Sequence, residues 1–122
     1  MIKVSVLYPN TEDCRFDFAY YCDQHMPMLK EKLGDACHGI AVDRGISGDA
    51  PGSRPPYIAM AHLFFESVDA FQNAFAPHAE AIMRDIPNYT NVQPVLQFNE
   101  VLINARQSDV GPFHIHLTAG SA

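Results

Sequence analysis

Residues 57–66, YIAMAHLFFE, are apolar on both sides of an extended chain. Side chains alternate across a strand, so Tyr57, Ala59, Ala61, Leu63 and Phe65 share one face, while Ile58, Met60 and Phe64, with His62 among them, share the other. A strand of this kind needs a cover on each side. The chain has 122 residues, 48% of them hydrophobic and 18% charged, which suits one packed domain and excludes disorder, collagen and coiled coil. A domain of that size needs no disulfide staple or structural metal to bury its core.

The flanking segments supply the covers. In residues 2–8, Ile2, Val4, Val6 and Tyr8 alternate with Lys3, Ser5 and Leu7, and the Pro9-Asn10-Thr11 turn signal ends this first strand. From 16 to 34, Phe16, Tyr20, Tyr21, Met28, Leu29 and Leu33 fall near helical spacing, with Gly34 as a C-cap. Pro27 removes a backbone donor, so this helix should kink or restart near His25-Met26-Pro27. Residues 37–46 read as a second strand, and SGDAPGSRPP at 47–56 as a mobile hairpin loop. Ser67 suits the N-cap of a second helix with the stripe Val68, Phe71, Phe75, Ile82, divided by Pro77. Residues 92–102 form a last strand, whose Pro94 marks an edge or bulged entry.

The order strand, helix, strand, strand, helix, strand is the α+β, ferredoxin-like βαββαβ arrangement, with an antiparallel sheet and both helices on one face. Residues 1–103 would make that domain, and 104–122, with the run HIHL, a tail or an exchanged strand. The sheet face opposite the helices is then bare. Because 57–66 is apolar there too, the expected cover is a second copy of the chain, giving a homodimer with its sheets face to face.

Function classes narrow by charge and by missing motifs. Eight Lys and Arg stand against fourteen Asp and Glu, a formal charge of -6, and no basic stripe occurs, so nucleic acid is not an expected partner. Cys14, Cys22 and Cys37 form no CxxC pair and read as free thiols in a reducing compartment. The opening MIKVSVLYP has no leader pattern, and no run of about 20 apolar residues follows, so the expectation is a cytoplasmic protein without membrane contact. GxGxxG, a phosphate loop, GxSxG, HExxH and CxxCH are all lacking, so no cofactor is expected. What remains is a pocket for an apolar small molecule.

Candidate residues within such a pocket are few. His25 lies beside the Pro27 break, one helical turn from Tyr21 and near Tyr20, where an imidazole and a phenol can exchange protons with an enolisable substrate; the alternative is a helix histidine bonded to a carbonyl. His78 and Asp85 are seven residues apart on roughly one helix face, so Asp85 either orients a histidine or caps the following turn. His62, within an apolar strand face, is either hydrogen-bonded in the interior or lining a cavity. His114 and His116 lie on one side of an extended segment, but two imidazoles without a third ligand do not specify a metal site.

Five strings carry more information than their periodicity: VLYPN at 6–10, FDFAYYCDQHMPM at 16–28, VDRGISG at 42–48, PPYIAMAHLFFESVDAF at 55–71 and MRDIPNYTNVQPVLQFNEV at 83–101. Together they make residues 2–103 resemble the EthD family, associated with ethyl tert-butyl ether degradation. The resemblance implies the dimeric α/β-barrel architecture. It further implies a catabolic role beside oxidative enzymes, sometimes labelled oxidoreductase, among relatives that include cofactor-free monooxygenases, isomerases and cyclases. Carried over by residue, it marks Tyr21 and His25 on helix one, and Asp85, Asn91 and Gln97 around the last loop and strand. The resulting expectation is a catalytic set of His25, Tyr21 and Asp85, with Tyr20, His62, His78, Asn91 and Gln97 contacting a small oxygenated or aromatic ligand. A non-catalytic accessory for a partner oxygenase, an isomerase or cyclase, and a haem-binding protein are the competing expectations.

Overall fold

The computed structural model describes residues 1–104, and the HIHL run expected in a tail or exchanged strand lies outside the described residues. Strand β1 (Ile2–Pro9) leads through a loop into helix α1, which runs as an α turn (Phe18–Tyr20), a π turn (Tyr21–His25) and a regular stretch (Met26–Leu33). Strands β2 (Gly39–Arg44) and β3 (Tyr57–Phe65) follow, then helix α2 (Val68–Phe75), a 3₁₀ turn (Ala76–His78), helix α3 (Ala79–Asp85), a second 3₁₀ turn (Ile86–Asn88) and strand β4 (Val95–Glu100). The sheet order is β2-β3-β1-β4, every neighbour antiparallel, which is the ferredoxin-like arrangement the element order implies.

Register assigns each face. Val4 stands opposite Leu63 and Phe98, and Tyr8 opposite Ala59, on the side that the helices cover. Val4, Ala59, Ala61 and Phe65 are fully buried there, and Phe65 meets Phe71 of α2 edge to face at 5.1 Å. On the other side Ser5 stands between His62 and Gln97, and Leu7 between Met60 and Val95. Among the described residues no helix lies over that face: Leu7, Met60 and Phe64 are only partly buried and Val95 is exposed.

Several boundaries differ from the sequence expectation, each for a local reason. Helix α1 starts at Phe18, two residues late, because Phe16 is drawn into a β-bridge with Thr90 and the Asp17 carboxylate accepts the Tyr20 N–H as N-cap. At Pro27 the helix restarts as expected: the chain first widens by one residue, the Met26 N–H reaching back to the Tyr21 carbonyl, and the regular stretch begins at Met26 with Pro27 in its first turn. Pro77 does divide the second helical segment, at the 3₁₀ turn. Strand β4 is shorter than 92–102 and lies at the sheet edge, just after Pro94. The 47–56 loop carries its own turn, Gly48 N–H to Ser53 carbonyl, and Arg54 ties it to Asn10 and Thr11.

Where this hairpin begins, the backbone of Gly45 passes so close to Tyr57 that a β-carbon would collide with the Tyr57 carbonyl oxygen. Gly45→Ala is expected to cost about 1–3 kcal/mol of stability. Urea unfolding should show a lower midpoint at an unchanged slope.

Candidate active site

Between the helices and the sheet lies a cavity of about 190 Å³. Strand β1 contributes Val4, Val6 and Tyr8, helix α1 contributes Tyr21, His25, Met26 and Leu29, and Phe71, Phe75 and Ile82 close the far side. Gln93, Pro94 and Leu96 complete the wall at β4. The lining is overwhelmingly apolar, so its few polar atoms must hold any chemistry.

His25 is the central one. The π turn lets both His25 and Met26 be buried before the apolar stripe continues at Leu29 and Leu33. The imidazole is 3% exposed, stacked on Tyr21 at 5.5 Å and tilted against Tyr89 at 4.7 Å. Its Nδ1 lies 2.9 Å from Oδ2 of Asp85, and no hydrogen bond among the described residues reaches Nε2. Asp85 closes α3, and its other oxygen accepts from the Tyr20 hydroxyl at 2.7 Å and from the Asn88 amide at 2.9 Å.

The charge states follow from these contacts. Burial pushes His25 below the ordinary imidazole value although Asp85 pulls the other way. Burial alone would raise Asp85, yet the hydrogen bonds from Tyr20, His25 and Asn88 outweigh it and hold the carboxyl below its usual range. At neutral pH the pair is therefore a neutral imidazole whose Nδ1–H donates to a carboxylate, which leaves Nε2 as the basic nitrogen.

Three phenols stand beside it. The hydroxyls of Tyr8 and Tyr89 are 2.7 Å apart and buried. Burial raises Tyr8, opposed by hydrogen bonds from Tyr89 and Tyr21; Tyr21 and Tyr89 are pushed far above the phenol range, again chiefly by burial. All three stay protonated, as donors or acceptors rather than bases.

The expected catalytic residues His25, Tyr21 and Asp85 thus converge, with Tyr20 behind the carboxylate rather than in the cavity. Asp85 orients His25 and not His78, which sits half-buried at the N-cap of α3, two turns and roughly 10 Å of rise away from Asp85 at the helix's other end. His62 and Gln97 do not meet this cavity: strand parity turns them to the opposite sheet face, where His62 bonds Ser5 at 2.9 Å and Gln97 bonds Asn99 at 2.7 Å. Asn91 is a brace, accepting the Arg15 N–H and donating to the Asp13 carbonyl. Tyr8 and Tyr89 escaped the sequence reading, although each stands in a string that marks the family resemblance. The signal for Tyr8 was its place in the helix-facing alternation Val4, Val6, Tyr8.

Residues 12–93 match the family model of the EthD domain. The chain belongs to the EthD family. An EthD-like protein from Ralstonia eutropha JMP134 is 47% identical, with a TM-score of 0.82 over 85% of this chain and 94% of that one. An EthD family protein from Bacillus halodurans C-125 shares 20% identity, with a TM-score of 0.64 over 84% and 99%. A dimeric protein of unknown function and ferredoxin-like fold from Bacteroides fragilis NCTC 9343 shares 14%, with a TM-score of 0.52 over 82% and 95%. No curated protein matches the chain. In this EthD chain the family match begins at Glu12 and ends at Gln93, spanning helix α1, the 86–91 loop and every residue of the His25–Asp85 cluster. Among the described residues no helix is long and apolar enough to cross a membrane.

The dyad makes a titration prediction. A folded imidazole below its unfolded value of 6.5 binds fewer protons than the unfolded chain just under that pH, so stability falls as pH drops from 6.5 toward the folded pKa. Asp85 adds a second loss below 3.8, as the carboxylate protonates. NMR titration of the His25 ring should give a midpoint below 6.5. Asp85→Asn should lower it further, because the charge that favours imidazolium is gone.

Proposed function

We propose that this EthD-family protein binds a small, mostly apolar, oxygenated or aromatic molecule in the dyad cavity and moves a proton on it. The observation that carries the proposal is a buried, neutral His25, fixed by Asp85 at one nitrogen and unbonded at the other, in the wall of an apolar cavity. In this reading Nε2 removes a proton from carbon or oxygen of the ligand, and the imidazolium so formed is stabilised by the Asp85 carboxylate. Negative charge gathers on the ligand's oxygen. The Tyr8 hydroxyl lies 2.7 Å from that of Tyr89, and when Tyr89 is the donor of that pair Tyr8 keeps its own proton to donate there. Returning the proton to a different atom completes an isomerisation without any cofactor. Lactones, hydroxylated ethers and small quinones fit the cavity's chemistry and are what an upstream oxidative enzyme would deliver.

Thermal stabilisation against that ligand panel identifies the class, since a ligand bound only by the native state raises the melting midpoint. For a ligand that stabilises, deuterium incorporation from heavy water reads proton abstraction directly. His25→Gln is expected to slow that exchange by about 10²–10⁴-fold while ligand affinity changes little. Unchanged exchange in a folded variant would remove His25 from the role and leave the accessory reading, in which the chain serves a partner oxygenase.

We further propose that two copies pair through the sheet face bearing Leu7, Met60, Phe64 and Val95. The support is the apolar character of that uncovered face, together with the fold shared with a protein described as dimeric. Sedimentation equilibrium at micromolar concentration should return twice the chain mass, and Met60→Asp should return the monomer.

A further inference from the structure

A second cleft, of about 540 Å³, lies where the loop after β1 meets the base of the β2–β3 hairpin, and none of its lining residues belongs to the dyad cavity. Two arginines point their chemistry at it. The Arg44 guanidinium sits 4.8 Å above the Phe18 ring, a contact that holds the cation without neutralising it. Arg54 is held by one terminal nitrogen, Nη2, which donates to the Asn10 carbonyl and side chain and to the Thr11 carbonyl at 2.6 Å. Neither guanidinium takes part in an ion pair among the described residues. Two unneutralised arginines facing one cleft stand out in a chain whose formal charge is -6.

The remainder of the lining is apolar on one side. Phe16, Phe18, Pro55 and Ile58 form a wall, and Glu12 is the one carboxylate of the lining. We propose that the cleft binds a small organic carboxylate, with its anionic end on Arg44 and Arg54 and an aromatic or branched apolar body against Phe18 and Ile58. The planar, always-charged guanidinium suits two parallel hydrogen bonds to a carboxylate, and its fixed position over Phe18 reduces the ordering cost. Glu12 opposes the anion and sets an upper limit on affinity. The site is separate in chemistry from the dyad cavity, since its recognition is by charge and the other's is by apolar fit. The two are nonetheless adjacent, because the Phe16 ring packs at 5.0, 4.9 and 5.4 Å against Tyr8, Tyr21 and Tyr89.

The test is an NMR titration of the whole chain with sodium benzoate, benzyl alcohol and inorganic phosphate. Benzoate should perturb the Arg44 side chain, Gly45 and Phe18, and bind roughly tenfold or more tighter than either of the other two. Arg44→Gln should weaken benzoate by roughly ten- to a hundredfold, and Glu12→Gln should tighten it. Both side chains are exposed, so both variants are expected to melt as the parent does. Any of four results would overturn the proposal: no perturbation at the cleft, benzoate affinity indifferent to Arg44→Gln, affinity not raised by Glu12→Gln, or phosphate binding as tightly as benzoate.

Discussion

The geometry of the candidate site depends on a short strap between two loops distant in sequence. Residues 13–17 lie along residues 89–91, joined by the Phe16–Thr90 bridge, the Asp17 N–H to the Tyr89 carbonyl at 2.8 Å, the Thr90 hydroxyl to the Arg15 carbonyl at 2.7 Å and both ends of the Asn91 amide. These bonds fix the start of helix α1 against the end of α3. They add a constraint on the distance between His25 of α1 and Asp85 at the end of α3, 60 residues apart in sequence and held within a hydrogen bond's tolerance. Most of the strap's hydrogen bonds involve backbone groups, so the loop gains order without any side chain of the cavity being used for it.

On that frame the polar groups divide into layers. Asp85 gathers three donors, from Tyr20, His25 and Asn88, and so remains a carboxylate although desolvation works against it. His25 receives the orienting effect of that carboxylate yet stays neutral, because its own burial is deeper. The opposite sheet face carries a different polar arrangement. There Asp43, His62, Ser5, Asn99 and Gln97 connect in sequence across the four strands, satisfying polar groups on a surface otherwise rich in apolar side chains. His62 is thereby explained as a hydrogen-bonded strand residue, one of the two alternatives its sequence context left open.

Much of this was legible in the sequence, and the rest was not for identifiable reasons. Strand periodicity fixed which residues of β1 and β3 face the helices, because a period of two leaves only one choice once one face is known. The His25 and Tyr21 pairing followed from one-turn spacing, and Asp85 was singled out as a carboxylate able to hold a histidine. Which histidine it holds was not readable: His78, seven residues away, stands at the other end of α3, while tertiary packing brings His25, 60 residues away, within 2.9 Å. Spacing along a helix predicts contact at three and four residues, not at seven. Asn91 and Gln97 illustrate a second limit, since polar residues in a family string serve loop bracing and strand surfaces as readily as ligands. Pro27 illustrates a third. A missing N–H marks where the regular stretch restarts, at Met26, but not that a widened turn precedes it with both His25 and Met26 buried.

The cavity wall also separates two properties by the parts of the chain that supply them. His25 and the phenols of Tyr8, Tyr21 and Tyr89 stand on strand β1, helix α1 and the strapped loop, all deeply buried. At β4, in contrast, Leu96 is 49% exposed on an edge strand, and across the opening Met83 is 51% exposed on α3. Substitutions at those two positions alter the width and polarity of the opening at little cost to the core. The rim of the cavity and the His25–Asp85 pair behind it are thus separable: a side chain exchanged at Leu96 or Met83 changes which shapes can enter and leaves the pair's hydrogen bond in place.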